Sequence, residues 1–286
     1  MPPWILTTPS SRGLGYALTR RLLRTTNLPI VATARQDPEK IKEALLKDVG
    51  LSGAEGEKRL DVLKVDVTDE STISSAASFC RSKFTSPSHL HLAFILPGIL
   101  RPEKHPRALS QEAMTSTFAI NTIGPLLMMK HFSDFLPSKR SQLPLISESE
   151  SDSTEDGERW TPPPFATWVT MSARVGSTTE NRLGGWYSYR ASKAAVNSMT
   201  KTFDLQLQNS ASGNRAMAIS MHPGTVKTGL SKEFWGSVPD KKLFEPDYSA
   251  SQLLNVIEGF GQGRDGRGIE QARGRCWDWS GAEIPP

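Results

Sequence analysis

The chain is poor in cysteine, in long apolar runs and in clustered metal-ligand residues, and each shortage excludes something. Two cysteines in 286 residues, Cys80 and Cys276, cannot frame a small disulfide-stapled fold. Both are expected to be reduced and buried, as in a cytoplasmic protein. No run of eighteen or more apolar residues occurs, which excludes a membrane-spanning helix. The first apolar run begins at Trp4 and reads as a strand of the fold, not as a signal or transit peptide. The five histidines show no ligand spacing; His89 and His91 stand at strand period, and no metal is expected there. Basic blocks with interleaved aromatics are missing too, so nucleic acid is not the expected partner. The net charge of +4 is uneven, because residues 148–158 hold six acids and no base, leaving +10 for the remainder. An anionic small molecule suits that excess.

What is present is an alternation of short β-branched runs with helical periods, the signature of βαβ units around a parallel sheet. Strands are expected at 4–8, 29–34, 61–66, 90–96, 166–171, 216–221 and 275–279. Helices are expected at 13–26, from Pro38, after a cap at Thr68 or Asp69, at about 110–135, at 187–208 and at 249–260. The 286 residues read as one domain. Within it, residues 137–164 are low in apolar side chains, alternate Ser with acids and end in Pro162-Pro163-Pro164, so a loosely held insert is expected. Residues 231–247 read as an irregular lid whose Phe234, Trp235 and Leu243 either line an apolar pocket or pack it shut. Trp186, Trp277 and Trp279 read as core or interface aromatics.

Two motifs carry chemistry. Between the first strand and helix stands Thr8-Pro-Ser-Ser-Arg-Gly-Leu-Gly15, a small-residue turn that lets backbone approach a pyrophosphate and aims a helix N-terminus at it. The second is Tyr189-Arg-Ala-Ser-Lys193, whose spacing puts the phenol and the ammonium on one helix face. A lysine there is expected to lower the phenol pKa into acid/base range. Around them, in a fixed order, come Asp66 after the third strand, Asn121 on the long helix, Ser172 after the fifth strand and Pro223-Gly224 after the sixth.

That order resembles the short-chain dehydrogenase/reductase family. Met171-Ser-Ala-Arg-Val-Gly-Ser177, followed by Asn181-Arg-Leu-Gly-Gly-Trp-Tyr-Ser-Tyr-Arg-Ala-Ser-Lys193, is similar to its sniffer-type carbonyl reductase branch. The resemblance implies an α/β fold, a Rossmann-type doubly wound parallel sheet of seven strands in the order 3-2-1-4-5-6-7 with helices on both faces. It implies an enzyme in which Tyr189 protonates a carbonyl oxygen as hydride arrives, while Lys193 tunes that tyrosine and holds the nicotinamide ribose. Asn121 would keep a water in the relay behind the lysine, and Ser172 would be the catalytic serine. Cofactor contacts would come from Ser11, Arg12, Gly13, Leu14 and Gly15 in the first turn, with Asp66 and Val67 beside the adenine. Gly98 would allow close approach, and Pro223, Val226 and Thr228 would hold the carboxamide and pyrophosphate end. The family also pairs copies through two helices, so a homodimer is expected, with Ile123, Leu126, Leu127, Phe132, Val196, Met199 and Phe203 supplying the apolar surface.

Three departures stand against the family pattern. Pro9 replaces the glycine that opens the dinucleotide turn, removing an N–H. Ile95-Leu96-Pro97-Gly98 replaces the Asn-Asn-Ala-Gly that ends the fourth strand. Ala173 occupies the serine position, with Ser172 one place earlier and Ser177 just beyond the loop glycine as the two replacements. These departures motivate a rival reading, a catalytically idle dinucleotide-binding redox sensor or scaffold. For the cofactor, charge decides. The second strand ends in Arg35, not an acid, and Arg12 stands in the first turn, so a 2′-phosphate and hence NADP(H) is expected, with Asp37 as the one contrary residue.

Overall fold

The computed structural model describes residues 3–138, 159–210 and 212–286. Strands β1 (Trp4–Thr8), β2 (Ile30–Ala34), β3 (Leu60–Lys64), β4 (Leu90–Ile95), β5 (Ala166–Met171) and β6 (Ala216–His222) pair in parallel. Two later pieces, β7 (Thr225–Val226) and β8 (Leu243–Phe244), form a separate parallel ribbon. Then β9 (Cys276–Asp278) joins β6 in parallel, and β10 (Glu283–Ile284) closes the edge antiparallel to β9. The sheet order is β3-β2-β1-β4-β5-β6-β9-β10. Seven strands therefore lie as expected, and a two-residue eighth is added. That strand follows a tight turn at Gly281 (φ +81°), where the Asp278 carboxylate accepts the Ser280 and Ala282 N–H groups. Two residues have no period, so nothing in the sequence announces it.

β1, β2, β4 and β5 are buried along their whole length because helices cover both faces. On one face Ile5, Ile30 and Met217 meet Leu18 and Leu22 of α1 (Gly13–Thr25) together with the helix 246–261. On the other, Trp4, Leu6 and Trp168 meet Ile73 and Ala77 of the helix 70–83, Met128 and Phe203. In chain order the further helices are α2 (Pro38–Leu46), α3 (Gly53–Arg59), α4 (Glu70–Lys83), α5 (Gln111–Phe118), α6 (Gly124–Phe132), α7 (Tyr187–Asn209), α8 (Pro246–Gly261) and α9 (Ile269–Ala272). α4 takes Asp69 as its cap, through the Ser71 N–H. The long helix expected at 110–135 runs without a gap from Gln111 to Phe135, but a π-helical turn, Ala119–Ile123, stands between α5 and α6. Such turns widen a helix by one residue and favour functional sites; this one carries Asn121.

Two expectations need correction here. Phe132, Val196 and Phe203, expected at a dimer surface, are buried in the core, because α6 and α7 turn those positions towards the sheet. Only Ile123 and Leu126 of that set are exposed. Of the stretch 137–164, residues 139–158 lie outside the described residues, but its end is packed, not loose. The indole of Trp160 is buried against α8 and donates to the Leu254 carbonyl at 2.9 Å, and its N–H donates to Thr25. The apolar and aromatic content of that end outweighs its prolines.

The two cysteines are buried as expected. His91 is the extra residue of a bulge in β4, since Trp4 pairs with Leu90 and Ile5 with Leu92. Its Nε2–H donates to the Pro163 carbonyl at 2.8 Å, so Nδ1 accepts from His89 at 3.2 Å, and both rings are neutral. Burial pushes the His91 pKa down to about 4 and that of His222 to about 4, and lowers that of His89. Unfolding frees these rings to bind protons near pH 6.5, so their contribution is complete above that pH. It is lost as pH falls from about 6.5 to 4, at roughly 3 kcal/mol for a ring shifted that far. Urea midpoints should drop across that interval, above the carboxylate range, and His91→Gln, which keeps a donor to Pro163, should flatten the slope. An unchanged slope would refute the assignment.

Candidate active site

The motif residues converge at the carboxyl ends of the parallel strands, around the point between β1 and β4 where the strand order reverses. Open α/β sheets bind ligands at such a crevice. The turn after β1 needs its glycines. Gly13 has φ +58°, and a Cβ on Gly15 would stand 1.9 Å from the Pro9 carbonyl oxygen. No side chain caps α1, so its first N–H groups face the crevice. Beneath the turn, the hydroxyls of Thr7, Ser10 and Thr19 form a buried hydrogen-bonded set. Leu96 fills apolar space beside Gly15, so the missing Asn pair is replaced by packing rather than by polar bracing.

Arg12 and Arg35 are both exposed at the rim of this turn. Asp66, after β3, accepts hydrogen bonds from the Thr68 hydroxyl (2.6 Å) and N–H (2.9 Å), which together with the nearby Arg35 charge hold its carboxyl below the usual range. Val67 packs against Gly124 of α6. Asp37 is exposed, with φ +47°, ahead of α2. From the other side, the segment after β6 folds over the turn. The methyl of Thr228 would lie 3.1 Å from a Cβ on Gly13, Val226 is buried in the β7–β8 ribbon, and Pro223 accepts the Ser249 hydroxyl.

Deeper in the crevice stand Tyr189 and Lys193, both buried. The lysine ammonium lies 5.9 Å from the phenol ring centroid and donates to the Met171 carbonyl at 2.8 Å. Burial pushes the phenol above its ordinary value and the ammonium down to about 8. The expected lowering of the phenol by Lys193 is thus reversed: desolvation is the larger effect. No group among the described residues hydrogen-bonds the Tyr189 hydroxyl. Asn121 is fully buried and ties α7 to the loop after β4. Its Oδ1 accepts the Ile99 N–H at 2.8 Å, and its Nδ2 donates to the Ile99 carbonyl and to Ser192 Oγ, both at 3.0 Å. Gly98 lies between them, a Cβ there being 3.6 Å from Lys193 Nζ and 3.8 Å from Asn121 Oδ1.

The serines fall elsewhere. Ser172 is buried and directs its hydroxyl to the Lys193 carbonyl (3.4 Å) and towards Cys276. Ser177 accepts the Glu180 N–H and donates to the Pro286 carbonyl. Neither is hydrogen-bonded to Tyr189. Trp186 belongs to the site and not to the core, its ring 6.2 Å from Tyr189 and 4.9 Å from lid residue Phe234. Trp277 is a core residue, whereas Trp279 packs on Phe244 beside Gly224. The sequence offered no sign of Glu103, a buried acid on the loop after β4 that hydrogen-bonds Ser188, 85 positions away.

Fold and site define a doubly wound α/β protein with a buried Tyr/Lys helix beside the strand-order switch. Residues 3–143 match the family model described as short chain dehydrogenase. It is 26% identical over 215 residues to 1-hydroxy-2-glutathionyl-2-methyl-3-butene dehydrogenase of Rhodococcus sp. (strain AD45), covering 75% of this chain and 78% of that one. In structure it resembles the carbonyl reductase Sniffer of D. melanogaster (TM-score 0.75, 24% identity, 100% of each chain). It also resembles an NADPH-bound carbonyl reductase from chicken fatty liver (TM-score 0.73, 24% identity, 99% and 98% of the two chains). Among the described residues no helix is long and apolar enough to cross a membrane, and no group of three ligand side chains could hold a metal.

Proposed function

We propose that this chain is an NADPH-dependent reductase of a ketone or aldehyde. The observation that carries this reading is the buried Tyr189–Lys193–Asn121 set around Gly98, opening on an uncapped helix N-terminus with two exposed arginines. NADPH, when bound, supplies the hydride. The α1 N–H groups with Ser11, Leu14 and the glycines would hold its pyrophosphate, Thr228 would close over it, and Arg12 and Arg35 would meet the 2′-phosphate. Asp66 and Val67 would border the adenine, and Pro223 and Val226 the carboxamide end. At the reacting centre the raised phenol pKa keeps Tyr189 protonated at neutral pH, which suits an acid that gives its proton to the carbonyl oxygen. The neighbouring Lys193 ammonium favours the tyrosinate left behind and restores its proton. Aromatic Trp186 and Phe234 would keep water from that oxygen.

The idle-sensor reading has one observation in its favour: Ser172 and Ser177 are both committed away from Tyr189. Loss of NADPH absorbance with a panel of quinones, aldehydes and ketones decides between them, since a sensor binds NADPH without consuming it.

Cofactor preference gives a sharper test. Replacing Arg12 and Arg35 together by alanine should weaken NADPH about tenfold or more, given the usual worth of charge-assisted hydrogen bonds, and leave NADH nearly unchanged. Titration by nucleotide fluorescence measures both, and equal losses would remove the arginines from the site.

A further inference from the structure

The helix that carries Tyr189 begins in an unusual way. Gly184, Gly185 and Trp186 all have left-handed backbone, with φ of +64°, +69° and +54°. Glycine adopts this conformation freely, whereas tryptophan does not. Trp186 is the residue ahead of α7 and has no side-chain oxygen with which to cap it. The cap comes from another segment. Glu103 is buried on the loop after β4, and its carboxylate accepts the Ser188 N–H at 3.1 Å and the Ser188 hydroxyl as well. Its backbone carbonyl accepts the Trp186 N–H at 2.7 Å. One residue therefore satisfies the opening turn of α7 at three donors. An acid at that end also meets the positive pole of a 23-residue helix.

Two things depend on that turn. Tyr189 follows Ser188 directly, and Trp186, whose N–H is held by the Glu103 carbonyl, sets its ring edge-on to Tyr189 and tilted against Phe234. We propose that Glu103 is a positioning residue that clamps the first turn of α7 and so aims the Tyr189 hydroxyl, together with the Trp186 wall, at the carbonyl oxygen. The inference rests on the reductase reading for its kinetic consequence, but the clamp itself can be measured without turnover.

The experiment compares Glu103→Ala and Glu103→Gln in the full chain, each with and without Tyr189→Phe. Glutamine can accept the Ser188 N–H and donate to its hydroxyl, so Glu103→Gln should stay within about threefold of wild type. Glu103→Ala should lower kcat about tenfold or more with little change in NADPH affinity, and should cause no further loss once Tyr189 is phenylalanine, because residues acting as one unit are not additive. Amide exchange in peptides spanning 186–191 should accelerate in Glu103→Ala, while peptides over the turn at 10–16 stay as in wild type. If Glu103→Ala fails to fold, Ser188→Ala removes one of the three bonds and should shift kcat and exchange in the same direction, less far. Unchanged exchange, a full additional loss in the Tyr189→Phe background, or a Glu103→Gln as damaged as Glu103→Ala would each overturn the proposal. A wild-type chain idle with every carbonyl tried would instead remove the reductase reading, and the exchange result alone would decide the clamp.

Discussion

Replacing Tyr189 with phenylalanine is expected to lower carbonyl turnover by about 10²–10⁴, the usual worth of a positioned acid. The fold should survive, because the Tyr189 hydroxyl has no hydrogen-bond partner to lose among the described residues. NADPH affinity should survive too, since α1 and the arginines are untouched. Lys193→Ala should damage both turnover and cofactor binding, and wild-type turnover should decline above about pH 8 as the lysine gives up its proton. Ser172→Ala should cost less than Tyr189→Phe, because its hydroxyl serves the Lys193 carbonyl. Tyr187 is the control: it is exposed at the start of the same helix, and Tyr187→Phe should leave kcat as it was. Steady-state kinetics beside a cofactor titration separates these outcomes. Loss with Tyr187→Phe and none with Tyr189→Phe would show that the wrong tyrosine carries the proton.

The largest expected effect on stability lies at Asp204, far from the chemistry. Its carboxylate is fully buried on α7, accepting the Ala218 N–H of β6 at 2.9 Å and the Arg273 guanidinium at 3.0 Å. Arg273 in turn donates to Asn214 and to the Ala216 carbonyl. Asp204→Ala leaves a buried guanidinium without its counter-charge and a strand N–H without an acceptor. Such losses cost about 3–5 kcal/mol, which for a chain of this size is a fall in Tm of roughly 6–10 °C. Asp204→Asn keeps an acceptor and should fall less. Calorimetry decides, and an alanine variant melting within a degree of wild type would mean that water fills the place of the carboxylate.

Much of the chemistry was legible in residue order. Positions four apart on a helix must share a face, so Tyr189 and Lys193 had to be neighbours in any fold that makes α7. A Gly-x-Gly turn between a strand and a helix had to present backbone N–H groups, whatever lies beyond it. The electrostatics were not legible in that way. Spacing alone implies that Lys193 lowers the phenol pKa, but desolvation acts on the pair through everything packed around it, and in the folded chain it dominates. The serine question is similar. Residues 172, 173 and 177 differ by one or a few places, and only the turn after β5 decides which way each side chain points.

By itself the sequence determined the alternating strands and helices, their order and the residues gathered at the carboxyl ends of the strands. Local periodicity and turn chemistry are properties of neighbours along the chain, and seven strands follow from them. Tertiary structure alone decided the rest: the π-helical turn that seats Asn121 and the removal of Phe132, Val196 and Phe203 from any surface. It also decided the packing of Trp160 onto α8 and the cap that Glu103 lends to a helix 85 residues away. Each of these depends on contacts between segments distant in sequence, where a buried donor takes whichever acceptor the packed layers bring within reach.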